Sequence, residues 1–176
     1  IREKHHRWLP FAARSVAAEI DSDKQFLFYA AYLLCLTGLL GIAITGDAFN
    51  LFVFLEISSL STYALVSLGR DRRALTAAYQ YLIMGTLGAT FYLIGIGLLY
   101  MVTGTLNMTD LAERLPAMYE SRTVLTALAF LTVGISLKLA LFPLHHWLPN
   151  AYTYAPSVVS ALLAGTATKV AAYVLL

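Results

Sequence analysis

The sequence predicts an all-α membrane protein, and three observations carry that prediction. Of 176 residues, 59% are hydrophobic and only 12% are charged, about half the share of charge that soluble domains carry. Apolar runs of about twenty residues recur along the chain, each long enough to cross a hydrocarbon core. The stretches between them hold the turn formers, the prolines and most of the charge.

The elements follow in order. Residues 1–25 read as a polar cytoplasmic segment: Arg2, Lys4, His5, His6, Arg7 and Arg14, then Glu19, Asp21 and Asp23. Trp8, Leu9, Phe11, Val16 and Ile20 are interspersed. That pattern suits an interfacial amphipathic stretch with Trp8 at headgroup level, and equally an ordinary loop. A transmembrane bundle occupies 26–176. Its first span covers 26–45. Gly46-Asp47 makes a short turn into the second span, 48–68, which the cluster Arg70, Asp71, Arg72, Arg73 closes. The third span, 75–102, is long enough to tilt.

A polar link, 104–122, comes next. In it Asn107 or Thr109 caps a short helix bearing Leu111 and Leu115, with Pro116 near its end. The fourth span, 123–142, is broken by Pro143, and a half-helix at 144–152 follows. The fifth span, 157–176, opens at Pro156-Ser157 with proline in a favoured first-turn position. Gly165, Thr166 and Thr168 make the weakest stretch of that helix. No secretory signal peptide is visible. The chain starts at Ile1 and stops at Leu176 inside an apolar run, so a fragment of a longer polytopic protein is expected.

Orientation follows from lysine and arginine in short loops. The N-terminal tail and the Arg70–Arg73 loop share one side, predicted to be cytoplasmic, with His145 and His146. Gly46-Asp47 and the 104–122 link face the other.

Three charged side chains fall inside the predicted spans: Glu56, Lys138 and Lys169. A charge at bilayer depth is disfavoured by roughly 3 kcal/mol on insertion scales, and such groups are the usual parts of proton relays and ion pathways. Glu56 lies roughly 12 Å into its helix at about 1.5 Å per residue. Ser59, Tyr63 and Ser67 fall near the same face. The plainer reading is a structural carboxylate bonded to a neighbouring helix. Lys138 stands one turn before Pro143, which frees upstream carbonyls, and broken backbone is tolerated where it is buried or lines a wet cavity. Burial favours the neutral amine and a nearby carboxylate the charged one, so movement of a partner can drive uptake and release of a proton. The plainer reading is a lysine that snorkels to the headgroups. Lys169, about twelve residues into the last span, carries the same two readings.

His145 and His146 follow the proline. Neutral histidines pass protons near physiological pH, and satisfied interfacial histidines are the alternative. As sequence neighbours they point in different directions on any regular backbone, so no metal pair is expected. Asp47 and Asn50 read as a turn and helix cap, or as an ion entrance. Gly85, Gly88, Ala89, Gly95 and Gly97 read as packing positions that let helices approach closely. The lone Cys35 allows no internal disulfide and no cysteine-based metal site, and suits a small buried hydrophobe.

The run Thr45-Gly46-Asp47-Ala48-Phe49-Asn50-Leu51-Phe52-Val53-Phe54-Leu55-Glu56 resembles the glutamate-bearing helix of the antiporter-like subunits. These occur in Mrp-type cation/proton antiporters, in respiratory complex I and in membrane-bound hydrogenases. Lys138 with Phe142-Pro143-Leu144-His145-His146-Trp147-Leu148-Pro149, then Ala155-Pro156-Ser157, then Leu163-Ala164-Gly165 with Lys169, extend the resemblance over about residues 30–176. The wording of the second and third spans looks closest to the Mrp-type D subunit.

The resemblance implies that the five spans are one inverted-repeat half of a larger antiporter-like bundle, a general transporter design. It implies that Glu56 is the acid paired with a buried lysine, Lys138 the central lysine of a broken helix, and Lys169 the linking lysine on the next helix. Tyr154 departs from the pattern, standing where relatives often have histidine. That leaves one relay step to His145, His146 or water.

The expected function is proton translocation through a buried Glu/Lys relay, as one subunit of a multisubunit cation/proton antiporter in the cell (inner) membrane. The alternative is a proton-pumping membrane subunit of an NADH-quinone oxidoreductase or membrane-bound hydrogenase. The expected partners are other membrane subunits, protons, sodium in an antiporter, and the lipid bilayer. Neither a nucleic acid nor a cofactor is expected: the chain has no flavin, nicotinamide or iron–sulfur motif and no histidine pair placed across helices for haem. A purely structural scaffold is the third reading, and the mid-span charges argue against it.

Overall fold

The computed structural model describes residues 11–175; Trp8 and the basic residues before it lie outside them. The described chain is almost wholly helical. Five helices are long and apolar enough to cross a membrane: Ser22–Ile44, Ala48–Ser67, Arg73–Thr103, Arg122–Leu139 and Ser157–Leu175. Their outward faces stay apolar, as with Phe26, Ile44 and Met101, each more than three-quarters exposed. Such faces suit lipid or further protein rather than water.

The chain begins with a short helix, α1 (Phe11–Glu19), before the first span, α2 (Gln25–Ile44). Val16 and Ile20 are buried in one apolar cluster with Phe28 and Val159, so this part of the polar segment is packed structure. Asp47 caps α3 (Ala48–Ser67), its carboxylate accepting from the Asn50 amide at 2.8 Å. That side chain is thus committed to the cap that the sequence allowed. α4 (Arg73–Thr103) ends at Gly104, whose φ of 70° is a left-handed value that glycine adopts freely. Asn107 caps α5 (Met108–Arg114) by accepting from the amides of Thr109 and Asp110. α6 (Arg122–Leu139), α7 (Trp147–Tyr154), α8 (Ser157–Leu162) and α9 (Thr168–Leu175) complete the bundle.

α8 and α9 are joined through one wide π-helical stretch, Leu163–Ala167. It coincides with the weak Gly165-Thr166-Thr168 region. Such wide turns leave carbonyls out of the regular ladder and recur at functional sites.

The two ends of the bundle are fastened differently. At one end the α2–α3 turn pairs with the α4–α5 link through main chain: Ala48 N donates to Leu106 O at 2.8 Å, and Met108 N to Gly46 O at 2.9 Å. At the other end the fastenings between segments use side chains. Arg70 donates to the carbonyls of Ala18 and Glu19. The Glu19 carboxylate accepts from the Ser157 amide at 2.7 Å and so caps α8. Asn150 donates to Gln80 at 2.8 Å, and Arg73 to the Tyr154 hydroxyl at 3.3 Å. The Tyr154 departure is therefore a contact between a half-buried tyrosine and the basic first residue of α4.

Close approaches set the helix spacing. A Cβ on Gly88 would fall 2.9 Å from Gly134 O, and one on Gly134 would fall 2.7 Å from Gly88 O, so only glycines let α4 and α6 meet there. Gly85 abuts Tyr63 and Gly95 abuts Leu131. Gly97 departs from the packing expectation: among the described residues nothing lies within 4 Å of where its Cβ would be. Cys35 is buried, with its sulfur 3.3 Å from the Thr62 hydroxyl.

Candidate functional site

Two apolar clusters fill the bundle. One gathers Phe28, Leu39, Tyr63, Tyr81 and Trp147; the other gathers Ile42, Leu55, Tyr92 and Ile96. A small cavity lies where they meet, lined by apolar residues of both and by the polar Ser59, Thr62 and Lys138.

Glu56 reaches this region from α3. Most hydroxyls on that helix are turned back onto their own backbone. Ser58 donates to Leu55 O, Ser61 to Ile57 O, Thr62 to Ser58 O and Ser67 to Ala64 O. This is how serine and threonine satisfy themselves inside a helix. Ser59 behaves differently: its oxygen accepts from Lys138 Nζ at 2.9 Å. The same ammonium donates to Glu56 Oε1, also at 2.9 Å. The Lys138 side chain is 9% exposed and that of Glu56 23%. A charge-assisted contact of this length between partly desolvated groups is among the strong polar interactions available to a protein.

The end of α6 places the lysine. The sequence predicts that this span reaches Phe142 and that the half-helix starts at 144. The helix instead stops at Leu139, and α7 begins at Trp147. Ala140 takes a left-handed conformation (φ 58°, ψ 42°), which disfavours an L-residue by about 1–2 kcal/mol. Two interactions hold it there. Leu141 N donates to Ser136 O at 3.0 Å, and the buried Trp147 indole donates to Leu137 O at 3.0 Å. Trp147 also stacks on Tyr81 at 4.0 Å, and Tyr81 meets Tyr63 edge-on at 4.6 Å. An aromatic column thus braces the terminus of α6 against α4 and α3. The sequence pattern alone gives Trp147 no role. The available signal is a large aromatic with a polar handle just after the proline, which needs a buried acceptor.

Lys169 is not brought to this pair. It is exposed, and its ammonium donates to Ala164 O and to the Thr168 hydroxyl within its own wide turn. Its helix still borders the cavity through Ala167, Val170 and Ala171.

His145 and His146 sit in the irregular segment between α6 and α7, which includes a cis Phe142–Pro143 bond. Their rings lie 5.3 Å apart and only 16° from parallel. The expectation that they diverge assumes a regular backbone, and this segment is a turn. His145 Nδ1 is buried and makes no hydrogen bond with a described residue. His146 is exposed and borders a surface groove with Tyr79, Gln80 and Asn150. Among the described residues no three His, Cys, Asp or Glu side chains gather into a metal-binding group.

Comparison with known proteins gives this geometry a context. Residues 45–176 match the family model described as NADH:quinone oxidoreductase/Mrp antiporter, TM. NADH-quinone oxidoreductase subunit N of Desulforudis audaxviator is 55% identical over 152 residues, covering 86% of this chain and 30% of that protein. The D subunit of the Na(+)/H(+) antiporter of Alkalihalophilus pseudofirmus is 32% identical over 166 residues, covering 94% of this chain and 33% of that protein. Among solved structures, a chain of the membrane-bound sulfane sulfur reductase, an archaeal respiratory membrane complex, superimposes with a TM-score of 0.79 at 37% identity. That match covers 82% of this chain and 30% of the other. The chain spans about a third of the length of the curated relatives it matches. With three-quarters of its length inside the family model, it belongs to the NADH:quinone oxidoreductase/Mrp antiporter transmembrane family.

Proposed function

We propose that this chain carries protons across a cell (inner) membrane through the Glu56–Lys138 pair and on towards Lys169, with His145 and His146 at one mouth. The 2.9 Å contact between Lys138 and Glu56 carries the reading. While the carboxylate is in place, the ammonium has its counter-charge. Separation of the two leaves a nearly dry cation, which then gives its proton to the next acceptor. α6 ends one residue beyond Lys138, at the left-handed Ala140, so the lysine stands beside irregular backbone, as the reading requires. In the same reading the five spans are one of two inverted repeats, and residues 1–25 are cytoplasmic.

The assembly proposed first is a multisubunit cation/proton antiporter, with other membrane subunits as partners and protons, with sodium, as cargo. A second reading has its own support. The 55% identity to an NADH-quinone oxidoreductase subunit N favours a proton-pumping membrane subunit of a redox complex. Co-purification with redox subunits and quinone-linked activity selects the second; cation exchange without them selects the first.

The test uses the full-length protein in its complex, in sealed vesicles with a pH-sensitive dye. Lys138→Ala abolishes proton movement while the subunits still co-purify. A wild-type rate in that variant overturns the proposal.

A further inference from the structure

The cavity beside Lys138 has a volume of about 30 Å³ and is bounded by Ser59, Tyr63, Tyr81, Gly85, Lys138 and Ala167, among others. A water molecule needs about 10–15 Å³ measured this way, and two to four polar partners. Three partners are present. Tyr63 is 6% exposed, and its hydroxyl, with Ser59 alongside, has no hydrogen-bond partner of normal geometry among the described residues. Lys138 has three N–H donors, of which Glu56 and Ser59 receive two. Ser59 accepts from Lys138 and keeps a hydroxyl proton to donate.

Gly85 makes the room. A Cβ there would fall 1.8 Å from Tyr63 Oη, so any other residue would push the hydroxyl aside. Buried tyrosine hydroxyls ordinarily find a partner. Tyr92 is the contrast within the same fold: its hydroxyl donates to Ala48 O at 3.2 Å.

We infer that this cavity is a binding site for one ordered water, held by Tyr63 Oη, Ser59 Oγ and Lys138 Nζ, and that Tyr63 is the residue that positions it. The inference rests on the proton path proposed above and extends it by one station. Ala167, Val170 and Ala171 of the Lys169 helix complete the wall of the same cavity.

Two measurements on the full-length protein in its complex test this. X-ray hydroxyl-radical labelling in oxygen-18 water marks side chains next to bound water. Tyr63 is expected to be labelled and Tyr92, buried to the same degree, to be spared. Tyr63→Phe keeps the ring and its contact with Tyr81, and it is expected to slow proton movement about fivefold, the factor one net hydrogen bond is worth, with a larger solvent isotope effect. Labelling of Tyr63 no greater than that of Tyr92, or a wild-type rate and isotope effect in Tyr63→Phe, overturns the inference. If Lys138→Ala is inactive in the same vesicles, that failure falls on the water site alone. If Lys138→Ala transports normally, the proton path is lost and the water station with it.

Discussion

Lys138 and Lys169 lie on successive membrane-spanning helices, and the fold treats them in opposite ways. Lys138 stands at a terminus fixed by three partners from other helices: the glycine contact with α4, the Trp147 indole and the Glu56 carboxylate. Lys169 depends on its own helix. Its ammonium rests on a carbonyl of the wide turn at Leu163–Ala167, and among the described residues nothing lies within 4 Å of where a Cβ on Gly165 would be. A cation inside a span can thus be held by tertiary contacts or by local backbone released from the helical ladder. The first arrangement couples the lysine to the packing of the whole bundle. The second leaves it free to exchange partners.

Substitutions can break or sharpen this contrast. The largest effect is expected from Glu56→Ala, which strands a nearly buried ammonium and lowers stability by about 3 kcal/mol. Chemical denaturation of the purified complex measures it, and a loss like that of a surface ion pair, below about 1 kcal/mol, would erase the distinction between the two lysines. Gly134→Ala comes next. Its Cβ would meet Gly88 O at 2.7 Å and Tyr92 N at 2.8 Å, and overpacking of this kind lowers stability by about 1–3 kcal/mol. A depressed unfolding midpoint is the expected result. Lys169→Ala should have the smallest effect on stability, within about 0.5 kcal/mol as for exposed positions, while proton movement falls. An unfolding midpoint shifted as far as that of Glu56→Ala would show that Lys169 is held by more than its own turn.

Much of this was legible in the chain because the signals are local. Five apolar runs announce five spanning helices. Asp47 and Asn107 sit where a cap is needed, and both cap. Gly165, Thr166 and Thr168 mark the helix that widens. The features that escaped depend on residues far apart in sequence. The stop at Leu139 is fixed by an indole eight residues on and by α4, so proline alone, as a local signal, places the end three residues late. The histidine rings stack because a turn replaces regular backbone. Gly97 looks like its packing neighbours in composition but lies on the open face of α4. A sequence lists small residues without saying which way each one faces. The juxtaposition of Glu56 with Lys138, 82 positions apart, is implied by the family resemblance alone; spacing carries no signal for it.

The clasp between Gly46–Ala48 and Leu106–Met108 has a consequence for how the molecule can change over generations. Its bonds are peptide to peptide, so replacing a side chain there leaves the donors and acceptors in place, proline excepted. The opposite rim relies on Arg70, Arg73, Glu19 and Asn150, and each of those ties can be deleted by one codon change. The inter-segment clasp at one rim therefore withstands replacement of its side chains, while at the rim that carries the paired histidines each of these ties can be removed singly.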